Sequence, residues 1–484
     1  MCGIAGMLVR DGSPAAVGDL CRMAGALEHR GPDEFGVYRD AHVGLAHARL
    51  SIIDLSTGQQ PMANEDDSLW VVFNGEIFNY VELREELEQR GHRFRTKSDT
   101  EVIVHAFEEW GSEAFARFNG QFAIALWDEQ RRILTLARDR VGVRPLYICE
   151  HAGKVYFASE VKAIFAADRT IPRALDPIGL DETFTFWSVV PPQSVFRGIE
   201  ELRPGHVRSY GPEGMREHAY WEASFEVSFR GSIEDATAEV RRALEEATRL
   251  RMLRADVRVG SYLSGGLDSS LVAALGLRAK GDKFRTFSLR FADAEYDETM
   301  YQREMSAFLG SDHAEVMVTR RDIAEVFPAV ISHTERPILR TAPAPMFLLS
   351  RLVRSEGIKV VLTGEGADEM FAGYDIFREA KVRRFWAKEP ASKSRPRLLE
   401  RLYPYLARSP VAQRAMAQQF FGRGLDRAAE PGFAHDTRWR GAAALKRLLA
   451  PSDSMDTVGR FLGTLPAAFE GWSALARDQY IEIR

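Results

Sequence analysis

Cysteine is scarce and odd in number. Cys2, Cys21 and Cys149 are the three in 484 residues, too few for a disulfide framework and suited to a reducing compartment. No run approaches the ~18 consecutive apolar residues that span a bilayer, and the N-terminus lacks the basic start and long apolar stretch of a secretory signal. The expectation is a cytosolic (cytoplasmic) protein with no membrane partner. Net positive charge is also missing: the balance is -5, which gives no global attraction to a phosphate backbone and predicts no nucleic-acid partner. Lys and Arg crowd the stretch from Arg378 to Arg447, but the Glu, Asp, Ala and Leu between them read as solvated faces of amphipathic helices.

What is present is the composition of a globular protein, 45% hydrophobic and 27% charged. The chain is too long for one core, so two large domains are expected, 2–220 and 221–484. Up to Tyr220, short β-type runs such as Leu69–Phe73, Phe122–Trp127 and Val155–Phe157 alternate with helical stretches at Tyr80–Arg90 and Glu101–Trp110. That is a layered α+β pattern rich in hairpins. Ser232 then reads as the N-cap of a helix reaching Leu253, with Glu234 and Asp235 in its first turn. Apolar strands at Phe284–Phe291 and Lys359–Leu362 alternate with helices, as in a doubly wound parallel sheet. From Tyr374 the composition is helical, with breaks at Pro390, Pro396, Pro404 and Pro410.

Loss of Met1 would leave Cys2 with both a thiol and a free α-amine, and an amine of pKa near 8 can take the thiol proton without a histidine. Taken alone, position 2 reads more simply as a small residue in a first strand, Cys2 to Val9. The motifs that follow change that reading. His29-Arg30-Gly31-Pro32-Asp33, Ala46-His47-Ala48-Arg49-Leu50-Ser51-Ile52, Phe73-Asn74-Gly75-Glu76-Ile77-Phe78-Asn79 and Ser98-Asp99 occur in that order, each ending an apolar run. Amide hydrolysis by a thiolate needs donors for a tetrahedral oxyanion, which Asn74 and the Gly75 N–H can provide. Arg49 matches an α-carboxylate, and Glu76 and Asp99 an α-ammonium.

Together these segments resemble the class II glutamine amidotransferase domain, a four-layer αββα N-terminal-nucleophile fold. The resemblance implies Cys2 as nucleophile, Asn74 and Gly75 as oxyanion hole, and glutamine held by Arg49, Leu50, Ser51, Ile52, Ile53, Asn74, Gly75, Glu76 and Asp99. Arg30 to Asp33 reads either as a loop shielding a thioester or as a structural turn.

In the second half, Val257–Leu263 feeds Ser264-Gly265-Gly266-Leu267-Asp268-Ser269-Ser270 and a helix. Amides and the dipole at a helix N-terminus favour phosphate. No Gly-Lys-Ser/Thr is present, so this is not a Walker A loop; the run resembles the PP-loop of ATP pyrophosphatases. Leu362-Thr363-Gly364-Glu365-Gly366-Ala367-Asp368-Glu369 follows another strand, so its acids sit at the same sheet edge. Asp268 and Asp368 form a carboxylate pair suited to Mg²⁺, and Glu365 a base for incoming ammonium.

These motifs resemble those of the asparagine synthetase family from Cys2 to about Tyr374. The resemblance implies an ATP pocket of Tyr262, Ser264, Gly265, Gly266, Asp268, Ser269, Leu289, Thr363 and Gly364, Mg²⁺ at Asp268 and Asp368, and Glu365 assisting attack. Arg340 falls where the family holds its acceptor amino acid, with a structural ion pair as the other reading. The implied substrates are glutamine, ATP and aspartate, and the implied chemistry is an AMP-forming ligation fed by channelled ammonia. Homodimerisation is carried by analogy alone. Family members extend further, with a lysine over the acceptor pocket that has no counterpart before Arg484; Asp478–Arg484 reads as the start of a helix, so a C-terminally incomplete synthetase domain is expected. A related amidotransferase acting on another carboxylate, and a non-catalytic glutamine- or ATP-binding module, stay open as alternatives.

Overall fold

The computed structural model describes residues 1–484 except 11–13, 227–228, 282–283, 294–296, 404–413, 442–445 and 447–455. Alternating apolar runs in the first 220 residues form twelve strands: β1 Gly3–Val9, β2 Glu34–Arg39, β3 Val43–Arg49, β4 Met62–Ala63, β5 Leu69–Ile77, β6 Gly120–Asp128, β7 Ile133–Arg138, β8 Tyr147–His151, β9 Lys154–Ala158, β10 Ile199–Glu201, β11 His206–Gly211 and β12 Gly214–Ala219. They pair into two six-stranded sheets, ordered β10-β8-β9-β1-β3-β2 and β12-β11-β7-β6-β5-β4.

The side-chain period of two gives each sheet two apolar faces. Ile4, Leu8 and Leu45 of the first sheet meet Val72, Ala125 and Trp127 of the second in one buried cluster. The outer face of the first sheet packs on Leu20, Met23 and Ile164, from the helices Val17–Ala26 and Val161–Ala167. The second is covered by Leu83, Leu87, Val102 and Ala106, from the helices Tyr80–Gln89 and Asp99–Trp110. Helix, sheet, sheet, helix is the four-layer α+β arrangement expected from the sequence.

Four more strands follow: β13 Val259–Tyr262, β14 Arg285–Phe291, β15 Asp312–Val318 and β16 Val360–Leu362. They form a parallel sheet in the order β15-β14-β13-β16. One face carries the cluster of Met252, Ala273 and Met305, the other that of Leu349 and Val353, so helices cover both faces of an α/β doubly wound sheet. The helix Ile233–Leu253 starts where expected: the Ser232 hydroxyl accepts from the Asp235 N–H and the Asp235 carboxylate accepts from the Ser232 N–H.

Contacts divide the chain into two compact units, one of Met1–Leu175, Pro191–Glu222 and Gly231–Gly364, the other of Asp176–Val190, Ala223–Arg230 and Glu365–Arg484. The second is helical, with an aromatic cluster of Trp439, Phe461, Phe469, Trp472 and Tyr480. Two expectations are corrected there. Arg383 is not on a solvated face: it is 1% exposed, and its guanidinium donates to the carbonyls of Phe421, Phe433 and Arg423 at 3.1, 2.6 and 2.9 Å. Burial lowers its pKa to about 10. The final helix begins at Ala474, four residues before Asp478, because the Ser473 side chain caps it; Asp478 sits inside it, bound by the Arg384 fork at 2.6 and 2.8 Å. Pro404, Pro410 and Arg447 lie outside the described residues. Among those described, no helix is long and apolar enough to cross a membrane.

Candidate active site

Cys2 stands directly before β1, whose register with β3 pairs Gly3 with Ala48. The thiol therefore reaches the residues just after β3: Sγ lies 3.4 Å from the Leu50 N–H nitrogen and 3.6 Å from the Leu50 carbonyl oxygen. Burial pushes the thiol pKa up, against the α-amine of the preceding residue and the Leu50 N–H; the charge of Asp99 acts on it too. The Met1 amine is itself pulled to about 5 by burial, and its side-chain sulfur lies against the Arg144 guanidinium.

Arg30 is anchored rather than loose. Its Nε donates to the Cys2 carbonyl at 2.9 Å and Nη1 to Glu160 at 2.7 Å. Burial opposes ionisation of Glu160, but His29 and Arg30 carry its pKa down to about 2. Asp33 accepts the Ser51 N–H at 2.8 Å and the Lys359 ammonium at 2.6 Å. The 30–33 segment is thus held at both ends, Arg30 on the Cys2 carbonyl and Glu160, and Asp33 on Ser51 and Lys359.

Asn74, Gly75 and Glu76 are consecutive on β5, which packs against β1. Asn74 is fully buried, and neither its amide nitrogen nor its amide oxygen has a hydrogen-bond partner among the described residues. An orphaned buried amide costs about 1–3 kcal/mol, so it marks a place built for a ligand atom. Gly75 is sterically required, since a Cβ there would stand 2.0 Å from the Gln121 carbonyl oxygen.

Glu76 and Asp99 are buried acids. Burial raises Glu76, with Arg144 and Arg251 opposing. Burial raises Asp99 to about 7, with the Ile77 N–H opposing and Glu76 adding. Arg49 is buried too; Nη1 pairs with Glu34 at 2.6 Å and Nη2 donates to the carbonyls of Asp54 and Ile53 at 2.6 and 3.3 Å. His47 is no rival base: burial pulls its pKa to about 3.

The PP-loop-like turn leaves β13. Ser264 Oγ and Ser269 Oγ are 2.8 Å apart, and the Gly266 N–H donates to Ser264 Oγ at 3.2 Å. Gly265 takes φ +84°, and Asp268 lies in the first turn of the helix Leu267–Lys280. Thr363 and Gly364 follow β16, the strand next to β13, so the two loops leave adjacent carboxyl ends where the strand order reverses. Gly364 is the point of closest approach: a Cβ would stand 2.9 Å from Asp268 Cβ. Tyr262 shares a hydrogen bond of 3.2 Å with Ser350, and the Leu289 carbonyl accepts the Gln302 amide at 2.9 Å. Arg340 is exposed between the helices Arg320–Thr334 and Pro343–Ser355. Glu365 and Asp368 belong to the second unit.

Sequence reasoning missed the residues that join these sites. Asp256, just ahead of β13, accepts the Asp54 N–H at 2.8 Å and donates its own N–H to the Ile52 carbonyl at 3.0 Å. Lys359, just ahead of β16, bonds Asp33 and the Ser51 carbonyl. Arg144 was missed as well: single charges outside a motif carry no spacing signal.

The chain matches the family model described as "Glutamine amidotransferase domain" over residues 1–221 and the one described as "Asparagine synthase" over residues 239–484. It is 35% identical over 354 residues to glutamine-hydrolyzing asparagine synthetase 1 of Bacillus subtilis, covering 73% of this chain and 55% of that protein. The chain thus spans about half the length of that relative. A Mycobacterium bovis protein provisionally named glutamine-hydrolyzing asparagine synthetase is 31% identical, over 100% of this chain and 76% of its own. "Amidase chyE" of Penicillium rubens is 33% identical over 78% of this chain and 60% of its own length.

Proposed function

This chain belongs to the asparagine synthase family, and from that premise we propose that it is a glutamine-dependent, AMP-forming asparagine synthetase with a glutaminase domain in 2–220 and a synthetase domain in 221–484. The observation that carries the reading is the Cys2 thiol on the Leu50 amide, with the buried, unpartnered amide of Asn74 on the strand packed against β1.

Removal of Met1 clears its sulfur from Arg144 and transfers the α-amine to Cys2. That amine takes the thiol proton as sulfur attacks the side-chain amide carbon of glutamine. Asn74 and the Gly75 N–H hold the oxyanion, and Arg49, with Leu50–Ile53, Glu76 and Asp99, holds the amino-acid end. The protonated amine then gives its proton to the departing ammonia, leaving a thioester that water opens to glutamate.

The second half uses the ammonia. The aspartate carboxylate attacks the α-phosphorus of ATP, pyrophosphate leaves, and ammonia displaces AMP from the β-aspartyl-AMP. Ser264, Gly265, Gly266 and Ser269 offer hydroxyls and amides to the phosphates at a helix N-terminus, and Tyr262, Leu289, Thr363 and Gly364 flank the nucleotide. Asp268, in the first turn of the helix Leu267–Lys280 with Gly364 packed against it, offers the carboxylate that would hold Mg²⁺, which would supply neutralisation of phosphate charge. From the sequence motif alone, Asp368 is proposed as a metal carboxylate, Glu365 as the base for entering ammonium and Arg340 as the partner of the acceptor.

Cys2→Ala tests the first half. Glutamate release should fall to background, and release at the parent rate would overturn the proposal, as would a mature protein retaining Met1. AMP and pyrophosphate formation that needs aspartate tests the second; formation with another carboxylate alone would assign a different acceptor.

A further inference from the structure

Outside both sites, on the outer helical layer of the second sheet, four side chains from three chain segments converge. Glu65 comes from the turn between β4 and β5, His92 from the turn after the helix Tyr80–Gln89, and His105 and Glu108 from one face of the helix Asp99–Trp110. One donor atom from each lies within 4.8 Å of all the others.

The spacing is informative. His105 Nδ1 is 3.4 Å from Glu65 Oε2 and 3.9 Å from Glu108 Oε2, and His92 Nδ1 is 3.6 Å from the same Glu108 oxygen. Donors about 2.0–2.1 Å from a tetrahedral ion stand roughly 3.3 Å from one another; these three edges lie near that spacing, and every edge of the cluster is within 4.8 Å. Both imidazoles turn Nδ1 inward and Nε2 outward toward a further carboxylate: His92 Nε2 lies 3.4 Å from Glu109 and His105 Nε2 lies 3.6 Å from Glu101. For His92 that is how carboxylates orient metal-binding histidines and fix their tautomer, while His105 Nε2 faces Glu101 without making a hydrogen bond. Glu65 is fixed likewise, its Oε1 accepting the Arg93 N–H at 2.8 Å, which leaves Oε2 for the cluster.

A second observation points to a ligand. His105 is 0% exposed, yet neither ring nitrogen makes a hydrogen bond among the described residues; the nearby carboxylates are outside hydrogen-bonding geometry. A buried imidazole without a partner is costly, and an ion between the carboxylates and the two Nδ1 atoms would satisfy the Nδ1 of His105. Glu108 is exposed, so the cluster opens to solvent on one side.

The geometry points to a structural site for a divalent transition-metal ion, zinc by its charge and borderline softness, held by Glu65, His92, His105 and Glu108. Two imidazoles and two carboxylates suit zinc better than Mg²⁺, which prefers six oxygens. The ion would join two turns to the helix Asp99–Trp110, and the inference does not depend on the glutaminase reading.

The test uses the chain stripped of metal, in a Cys2→Ala, Cys21→Ala background so that neither accessible thiol is a competing ligand. Co²⁺ is the probe, because its visible absorption is strong only in four-coordinate sites. One saturable equivalent, displaced by Zn²⁺ and accompanied by a higher melting temperature, is expected. His92→Gln and Glu108→Gln change partly exposed positions and should keep the circular dichroism of the parent while weakening Co²⁺ binding at least tenfold. No four-coordinate spectrum at excess Co²⁺, or a spectrum unchanged in both folded variants, would overturn the site.

Discussion

Asp99 ties pH to stability and, in the proposed glutamine site, to substrate binding. Its folded pKa of about 7 against an ordinary 3.8 means that the folded chain holds a proton between those values which the unfolded chain has released. Stability from this position is therefore lost as pH rises from about 4 through 7. Asp99→Asn should remove that slope, as read by denaturant titrations at several pH values. Binding runs the other way: an α-ammonium needs the ionised carboxylate, so the KM for glutamine should fall from pH 6 to pH 8, and the Asn variant should flatten that profile. Asn74→Ala separates chemistry from folding at its own site. Loss of one oxyanion donor should lower kcat for glutamate release by about 10²–10³, with KM little changed. The orphaned amide is a cost in the empty site, so the melting temperature should not fall in proportion. The sequence motifs already named Asn74 and Asp99; the burial that makes one an orphan and moves the other toward neutrality depends on layers contributed by distant strands and helices.

Each secondary element carries its own local logic. The Ser232 capping box is exposed and touches only its own helix, so Ser232→Ala should cost about 1 kcal/mol, seen as faster amide exchange in the first turn of Ile233–Leu253 without faster exchange in β13. Gly75→Ala is more severe. β5 and β6 are adjacent, and the added methyl meets a carbonyl of β6 at 2.0 Å. The strand must shift, and the variant should lose soluble yield or melt many degrees lower. The runs at Leu69–Phe73 and Phe122–Trp127 were legible as strands, and Ser232 as a cap, because period-two alternation and capping chemistry are local. Arg383 was misread for the opposite reason: a basic residue in a helical stretch looks solvated until the carbonyls of Phe421, Arg423 and Phe433 are brought around it.

Across the first unit, the segment that holds the Cys2 thiol is fastened to the residues just ahead of β13 and β16. Leu50 meets the thiol, Ser51 and Asp33 meet Lys359, and Ile52 and Asp54 meet Asp256. The Asp33–Lys359 pair is about one-third exposed on each side, so it contributes at most ~1 kcal/mol to stability. Alignment of the two segments is the proposed use of the pair. Lys359→Met should keep the parent melting temperature within a few degrees and the rate of glutamate release within about twofold, while raising the glutamate formed per pyrophosphate; an unchanged ratio would remove this link. The sequence by itself determined which side chains are proposed to carry the chemistry, because a thiol beside an α-amine, an Asn-Gly-Glu run ending an apolar strand and a serine-glycine loop after another are local patterns with local reasons. Only the tertiary structure decided what those groups meet: whether an acid is desolvated, whether an amide is left unpaired, and which lysine reaches which carboxylate. Those properties depend on residues hundreds of positions apart, such as Asp33 and Lys359, whose proximity no local pattern encodes.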